Sequence, residues 1–287
     1  MIVDTHVHIW ELPPIAPVGP TALGQSGALD GPAPAELLVD DMAAHGVDWS
    51  VVVQTSLSTW DNGYIADSAQ QYPDRFIAHG MVDPLDQDNA TTAAYWMDER
   101  GMKGFRFHPL YYELDDPAQG RILMRPENEP LFEAISERGG IIQIHSRAHH
   151  ADQLDFAAGR FPGITWLIDH MMYPHPEWAA DDWEPYKPVL ALAEHSNVYI
   201  KISDVHGRSN EDFPYHDMLE VVHRSTDAFG TDRCLWGTGY PGPVRAKYNW
   251  PPLDAELRIV REAFDWLSES DQAKILGDNA ARIWQLS

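Results

Sequence analysis

The chain has 287 residues, of which 44% are hydrophobic and 22% charged, and this ordinary globular usage excludes disorder and fibres. Its 20 Lys and Arg residues against 44 Asp and Glu residues give a formal charge of −24, which argues against a nucleic-acid or anionic-membrane partner. Residues 1–10 carry no signal-peptide pattern, no apolar run approaches the ~18 residues of a membrane span, and Cys234 is the single cysteine. We therefore expect a soluble cytoplasmic protein without an internal disulfide.

Short β-type runs alternate with helical segments along the whole chain. The predicted strands cover 2–10, 48–56, 76–82, 102–108, 140–146, 165–171, 198–203 and 234–240. The predicted helices cover 35–45, 64–71, 90–100, 129–138, 150–160, 186–195 and 216–229, and two more helical segments follow over 254–267 and 270–286.

This alternation predicts an α/β fold. Eight strands that are each followed by a helix, in a chain slightly above the usual ~250 residues, are typical of a (β/α)8 TIM barrel, here one domain over 1–287 with an extra C-terminal helix. Residues 11–34 are rich in Pro and Gly and are expected to form a long loop after the first strand. This loop is either a flexible insertion or a lid over the substrate.

Four histidines stand at predicted strand ends. The first strand ends in His6-Val7-His8, and both imidazoles lie on one side because side chains alternate along a strand. His145 and His170 end the fifth and sixth strands, and the carboxyl ends of barrel strands share one mouth. Converging imidazoles predict a site for zinc, manganese or iron, which can polarise a carbonyl or activate water.

Cationic side chains stand at the same end of the predicted barrel. Arg106 and His108 share one face of the fourth strand. A guanidinium in a barrel mouth needs an anion, which is either a protein carboxylate or a substrate carboxylate. Lys201 on the seventh strand has the same two alternatives, an ion pair inside the barrel or a substrate contact. We predict Arg106, His108 and Lys201 as substrate-binding residues.

Six motifs give the chain a family resemblance over essentially its whole length. They are Asp4-Thr5-His6-Val7-His8, Gly104-Phe105-Arg106-Phe107-His108, Ile144-His145-Ser146, Asp169-His170, 235–241 (LWGTGYP) and 277–282 (GDNAAR). In this order and at barrel spacing, they resemble the amidohydrolase-related family of the amidohydrolase superfamily. The resemblance implies a barrel enzyme that acts on small carboxylated molecules, by lactone hydrolysis or by non-oxidative decarboxylation.

The resemblance also implies roles for the histidines. His6, His8 and His145 correspond to the metal ligands of the metal-using relatives, with zinc as our first choice of ion and manganese as the second. His170 corresponds to the residue that assists as acid or base, and we predict His170 and His145 as catalytic residues. Some lactonase relatives work without a metal.

One position departs from the family pattern. The eighth strand of the family normally carries an aspartate that serves as metal ligand or general base, and this chain has Gly239 there. The protein is then a three-histidine metalloenzyme, a metal-free enzyme or a ligand-binding protein without turnover. We predict that the neighbouring Tyr240 binds substrate as a hydrogen-bond donor. Asp204 could supply a substitute carboxylate, although a surface or helix-capping role is more ordinary for it.

The predicted function is hydrolysis of a lactone, or of a related ester or amide, in a small carboxylated cyclic compound. Arg106 and Lys201 would hold the substrate carboxylate, and His170 would activate water. The alternatives are non-oxidative decarboxylation of an aromatic or enoic acid and ligand binding by a pseudo-enzyme. The expected partners are the small carboxylated substrate and further copies of the chain in a homo-oligomer.

Overall fold

The computed structural model describes residues 1–11, 31–56, 58–117, 119–239, 241–247 and 249–287, and eight parallel strands follow one another in chain order around a barrel. The strands are β1 (Val3–Val7), β2 (Trp49–Val53), β3 (Phe76–Gly80), β4 (Gly104–Phe107), β5 (Ile141–Ile144), β6 (Thr165–Ile168), β7 (Val198–Ile202) and β8 (Cys234–Trp236). A parallel bridge between Val7 and Gly239 joins the last strand segment to the first. The predicted (β/α)8 barrel is therefore confirmed.

Helices occupy the connections between the strands. They are α1 (Ala35–His45), α2 (Gly63–Gln71), α3 (Asn89–Asp98), α4 (Pro109–Asp115), α5 (Glu129–Ser136), α6 (Ala151–Arg160), α7 (Lys187–Ala191), α8 (Val205–Arg208), α9 (His216–Phe229), α10 (Gly242–Lys247), α11 (Leu253–Arg258), α12 (Glu269–Ala273) and α13 (Asn279–Trp284). The helices predicted over 35–45 and 216–229 match α1 and α9 to the residue, because both have a clear apolar face and end at a glycine.

The structure differs from the predicted elements in the connections at the carboxyl ends of the strands. Helices α4, α8 and α10 were not predicted, since segments of four to seven residues are too short to show a helical period. The sixth strand was predicted to extend to residue 171 but ends at Ile168. The following turn, Asp169–Met172, contains residues with left-handed backbone angles, among them His170 at φ 50°. His170 therefore lies in a tight turn beyond the strand rather than on it.

Apolar packing fills the amino-terminal part of the barrel. Val51 and Val53 of β2 and Leu235 of β8 belong to a small cluster that packs with Trp284 of the C-terminal helix α13. The Trp284 indole N–H donates to Nε2 of His79, at 3.0 Å. The predicted C-terminal helix therefore covers the lower end of the barrel, and the polar site is confined to the opposite end.

The predicted long loop over 11–34 lies largely outside the described residues, which resume at residue 31. Its two ends are held together, because Trp10 and Ala33 form an antiparallel bridge with hydrogen bonds of 2.9 and 3.0 Å. The prediction that this loop is a lid remains a prediction. None of the described helices is long and apolar enough to cross a membrane.

We expect Asn279→Ala to lower the free energy of unfolding by about 2 to 4 kcal/mol. The buried Asn279 amide donates to the carbonyls of Thr231 and Cys234, at 2.7 and 2.8 Å, and both carbonyls would lose this donor. Urea denaturation measures the change. Asn210→Ala, on the surface, is the matched control and should change stability by less than about 0.5 kcal/mol. A similar small change in Asn279→Ala would show that these hydrogen bonds do not secure α13.

Candidate active site

A cavity of about 380 Å³ opens at the carboxyl ends of the strands. Its lining includes all four of the predicted strand-end histidines, His6, His8, His145 and His170, together with Arg106. The volume suits a small molecule, and its position is where barrel enzymes place their sites. The structure thus brings these five predicted residues to one cavity.

His6 and His8 direct ring nitrogens towards each other. Their Nε2 atoms are 3.3 Å apart, and Nδ1 of His8 lies 2.8 Å from the carbonyl oxygen of Val53. Since a carbonyl only accepts, His8 donates through Nδ1–H, and its Nε2 carries a lone pair. Burial lowers the pKa of His8 to about 3 and that of His6 well below its usual range, so both rings are neutral at pH 7. Neutral imidazoles with converging nitrogens are suitable metal ligands.

His170 packs against His6, with ring centroids 4.7 Å apart. His6, Asp169 and His170 form a group whose ligand atoms all lie within 4.8 Å of one another, and among the described residues His145 belongs to no such group. His145 Nε2 is instead 3.0 Å from the Tyr173 hydroxyl. Nδ1 of His170 lies 2.9 Å from the hydroxyl of Ser203. The predicted His6–His8–His145 ligand set stays a prediction, since neither His8 nor His145 belongs to this group.

Asp169 forms ion pairs with two cations beneath the cavity. Its Oδ2 is 2.7 Å from Nε of Arg106, and its Oδ1 is 3.0 Å from Nζ of Lys201, with all three side chains buried. Burial alone would raise the pKa of Asp169, but Lys201 and Arg106 outweigh that effect and hold it well below its usual range. One carboxylate faces two cations, so this cluster has an excess positive charge.

Lys201 lies below the cavity and does not line it. Its ammonium also donates to Oε1 of Gln143, at 2.6 Å, and to the carbonyl of Thr5, at 3.0 Å, and the side chain is fully buried. Burial lowers the pKa of Lys201 to about 8 despite the neighbouring Asp169 carboxylate. Of the two alternatives for Lys201, the structure has the ion pair inside the barrel, and it does not support the predicted substrate contact.

The other predicted substrate-binding residues have different outcomes. Arg106 pairs with Asp169 through Nε and also lines the cavity, so a protein carboxylate and a substrate are both within its reach. His108 is 1% exposed and stacks on Tyr111, with ring centroids 5.2 Å apart and an angle of 12°. Tyr111, not His108, lines the cavity. Tyr240 lies outside the described residues.

Gly239 leaves the eighth-strand position without a side chain, but its main chain holds the histidine pair. Its N–H donates to the carbonyl of His6, at 2.6 Å, and its carbonyl accepts from the N–H of His8, at 2.9 Å. Its φ is +121°, which favours glycine, and a Cβ there would meet no described atom within 4 Å. The backbone is therefore adapted to glycine, and the missing carboxylate leaves open space.

Several cavity residues were not among the predicted site residues because they lie in turns beyond the strands. Tyr173, Asp204, His206 and Arg208 all line the cavity. The guanidinium of Arg208 lies 5.2 Å from the Tyr173 ring centre, and that of Arg147 lies 4.2 Å from it. The polar residues Asp204, His206 and Arg208, which directly follow the seventh strand at the cavity end of the barrel, were the available signal.

A second group of potential ligands lies outside the cavity. Nε2 of both His149 and His150 is 2.9 Å from the same carboxylate oxygen of Glu113. The backbone N–H of Arg147 donates to Nδ1 of His150, which leaves the ring proton of a neutral His150 on Nε2. In this tautomer Nε2 of His150 directs its proton at Glu113 and offers no lone pair, so the three side chains form a cluster around one carboxylate.

Comparison with known proteins assigns the family. Residues 3–286 match the family described as Amidohydrolase. The chain belongs to the amidohydrolase family. The resemblance carried by the strand-end motifs is thereby confirmed, and the cavity corresponds to the catalytic end of an amidohydrolase barrel.

Two curated relatives align over nearly the whole of this amidohydrolase. One is L-fucono-1,5-lactonase of Burkholderia ambifaria, 26% identical, with 99% of this chain and 95% of the relative covered. The other is 4-sulfomuconolactone hydrolase of Rhizobium radiobacter, also 26% identical, with coverages of 98% and 89%. Both relatives are named for reactions on lactones.

Solved structures share the fold. A probable 2-pyrone-4,6-dicarboxylic acid hydrolase from Acinetobacter baumannii, with citric acid bound, superposes with a TM-score of 0.80 at 18% identity over 99% of each chain. An amidohydrolase from Burkholderia multivorans with bound zinc superposes with a TM-score of 0.77 at 18% identity over 100% of each chain. At such identities the likeness establishes the barrel architecture.

We expect His79→Gln to change how stability depends on pH. Burial lowers the pKa of His79 to about 3, against about 6.5 in the unfolded chain, so the unfolded state binds one more proton between these values. The stability from neutral His79 is complete above pH 6.5 and is lost as the pH falls towards 3. Replacement of His79 by Gln should therefore reduce the slope of the unfolding free energy against pH by about 1.4 kcal/mol per pH unit between pH 4 and 6.

Urea denaturation across this pH range measures the slope. The matched control is His216→Gln, because the side chain of His216 is 70% exposed and should leave the slope unchanged. An unchanged slope in His79→Gln would contradict a histidine that is buried in its neutral form.

Proposed function

We propose that this amidohydrolase hydrolyses a lactone in a small carboxylated cyclic compound. The observation that carries the proposal is the excess positive charge of the Arg106–Asp169–Lys201 cluster, directly beside the converging nitrogens of His6 and His8. The first feature favours an anionic substrate, and the second favours polarisation of a carbonyl. The two lactone-named relatives support this choice of bond.

Arg106 is the proposed anchor for the substrate carboxylate. Its guanidinium lines the cavity, and the ion pair with Asp169 fixes one edge of it through Nε. A guanidinium held in this way can present its remaining N–H groups to a carboxylate in a bidentate manner. A substrate anion would also balance the second buried cation, Lys201, which is too deep to touch the substrate.

The donor set in the cavity fits a divalent metal ion. Both rings of the pair are neutral and their Nε2 atoms converge, and His170 belongs with His6 to a group whose ligand atoms all lie within 4.8 Å of one another. We propose that His6, His8 and His170 hold the ion, with zinc as first choice and manganese as second. When bound, such an ion polarises the lactone carbonyl and lowers the pKa of water. Gly239 contributes no side-chain ligand.

Hydrolysis is favoured over decarboxylation by the charge state of the histidines. Decarboxylation by this cavity would require a protonated histidine that delivers a proton to carbon. Burial lowers the pKa of His170 to about 3 and that of His145 well below its usual range, so both are neutral at pH 7. Neutral rings can orient water and a carbonyl, which is what lactone hydrolysis requires.

The substrate assignment is tested with pairs of lactones that differ by one carboxylate. We expect the wild-type protein to open the carboxylated lactone of each pair faster than the uncharged one. Arg106→Lys should lower kcat/KM for the carboxylated lactone by about 30- to 100-fold, because a point charge replaces a bidentate donor. The loss for the uncharged lactone should stay below about 5-fold. Equal losses for both would contradict the anchoring role of Arg106.

The metal site is tested by elemental analysis of protein purified without chelators or a histidine tag. We expect about one equivalent of divalent metal per chain in the wild type and less than about 0.1 in His8→Gln, because two converging nitrogens become one. His195→Gln is the control, since His195 pairs with Asp155 away from the cavity and should not affect metal content. Wild-type protein that stays below about 0.1 equivalents after reconstitution would contradict the proposed site.

A further inference from the structure

We propose that the carboxylate of Asp204 accepts the proton of the water molecule that attacks the lactone carbonyl. The inference rests on the proposed function. Among the residues that the structure describes, Asp204 is the only carboxylate that lines the cavity. It reaches the cavity from the loop after β7, so its carboxylate does not depend on the eighth strand.

Asp204 does not have the ordinary role of an acid at the start of a helix. It occupies the position immediately before α8, where an aspartate normally accepts hydrogen bonds from the first backbone N–H groups, but its side chain makes no such bond. Its backbone is left-handed, with φ at +58°, and its side chain is 25% exposed. A non-glycine residue in this conformation is costly, and such residues concentrate at functional sites.

Gly207 shapes the place that the carboxylate occupies. A Cβ at position 207 would collide with Oδ1 of Asp204, so the carboxylate lies directly over the glycine. Both residues line the cavity. Because Gly207 has no side chain, the carboxylate of Asp204 can lie close to the main chain of Gly207 at the cavity wall.

The charged surroundings suit a base. Arg208 lies with Nε 3.3 Å from Oδ2 of Asp204, and His206, Arg147 and Glu256 also act on the carboxylate. Burial raises the pKa of Asp204, which makes the carboxylate a stronger base, while the neighbouring Arg208 favours its ionised form. The carboxylate makes no hydrogen bond to the start of α8, so beside its ion pair with Arg208 it can accept a hydrogen bond from water.

The two other carboxylates near the cavity are already engaged. Asp169 has one oxygen on Arg106 and the other on Lys201. Asp4 accepts from the backbone N–H of His6 at 3.1 Å, and from the backbone N–H and hydroxyl of Thr238 at 3.0 and 2.5 Å. Proton acceptance by either would break buried hydrogen bonds, whereas Asp204 has none to lose.

The proposed step balances without a further reactant. Water loses a proton to Asp204 while its oxygen bonds to the lactone carbonyl carbon, and the carbonyl electron pair moves to the carbonyl oxygen. When that pair returns, the ring C–O bond breaks, and the leaving alkoxide takes the proton from Asp204. One lactone and one water give one hydroxy acid, and Asp204 is again a carboxylate.

The decisive variant is Asp204→Asn, which preserves shape and removes the proton acceptor. We expect kcat for a lactone substrate to fall at least 100-fold with KM changed less than about 3-fold, and the acid limb of the kcat/KM profile to be lost. The matched control is Asp182→Asn. Asp182 also has a left-handed backbone, with φ at +51°, but it is exposed and pairs with Arg224. It should retain wild-type kcat.

A second variant separates proton acceptance from structure. Asp204→Gly removes the carboxylate at a backbone conformation that glycine tolerates, so the fold should be retained. Added formate should restore activity to Asp204→Gly in proportion to its concentration, and it should not stimulate the wild type. Restoration of this kind requires a missing carboxylate that touches the reacting water.

The outcomes separate this inference from the proposed function. Wild-type hydrolysis together with Asp204→Asn within about 3-fold of wild-type kcat would overturn the role of Asp204 and leave the lactonase assignment standing. Absence of lactone hydrolysis by the wild type would contradict the proposed function and, with it, this inference. A folded but inactive Asp204→Gly that formate does not restore would also overturn it.

Discussion

The carboxylate that Asp169 shares between Arg106 and Lys201 is the interaction on which the site depends. A buried ion is tolerated only when it is paired, and this group ties the end of β6 to β4 and β7. The charges do not cancel, because two cations meet one anion. Lys201 directs its donors to Gln143, to the carbonyl of Thr5 and towards Nδ1 of His6, whereas Arg106 itself lines the cavity. The stability of this end of the barrel and the preference for an anion that we propose therefore have one origin.

Burial also sets the protonation of the other groups around the cavity. It lowers the pKa of His8 and His170 to about 3, which keeps their rings neutral at pH 7. The same effect raises the pKa of Asp204, which makes its carboxylate a stronger base. Exclusion of water from the cavity end of the barrel thus keeps the histidines neutral and makes the carboxylate of Asp204 a stronger base.

The sequence was sufficient to predict the fold and the histidines that line the cavity, but it was insufficient to predict the turns after the strands. Short β-type runs that alternate with helical segments define the strands, and the helical period of apolar residues defines α9. The spacing of His6 and His8 places both on one side of β1. The left-handed turn at Asp169–Met172 has no sequence period, so the sequence placed His170 at the mouth of the barrel but could not predict its direct contact with His6. Lys201 had two alternatives that only a three-dimensional partner, Asp169, could decide. The role of Asp204 depends on a loop path that composition does not encode.

The eighth-strand glycine has a consequence for how this protein can change. The main-chain bonds of Gly239 to His6 and His8 are independent of any side chain, so the histidine pair keeps its support when the side chain is absent. A backbone with φ at +121° does not readily accept an aspartate, however. An aspartate at this position would thus require the barrel seam to rearrange around the main-chain bonds that hold His6 and His8. A carboxylate for this cavity is therefore more readily supplied by a neighbouring loop than by the eighth strand.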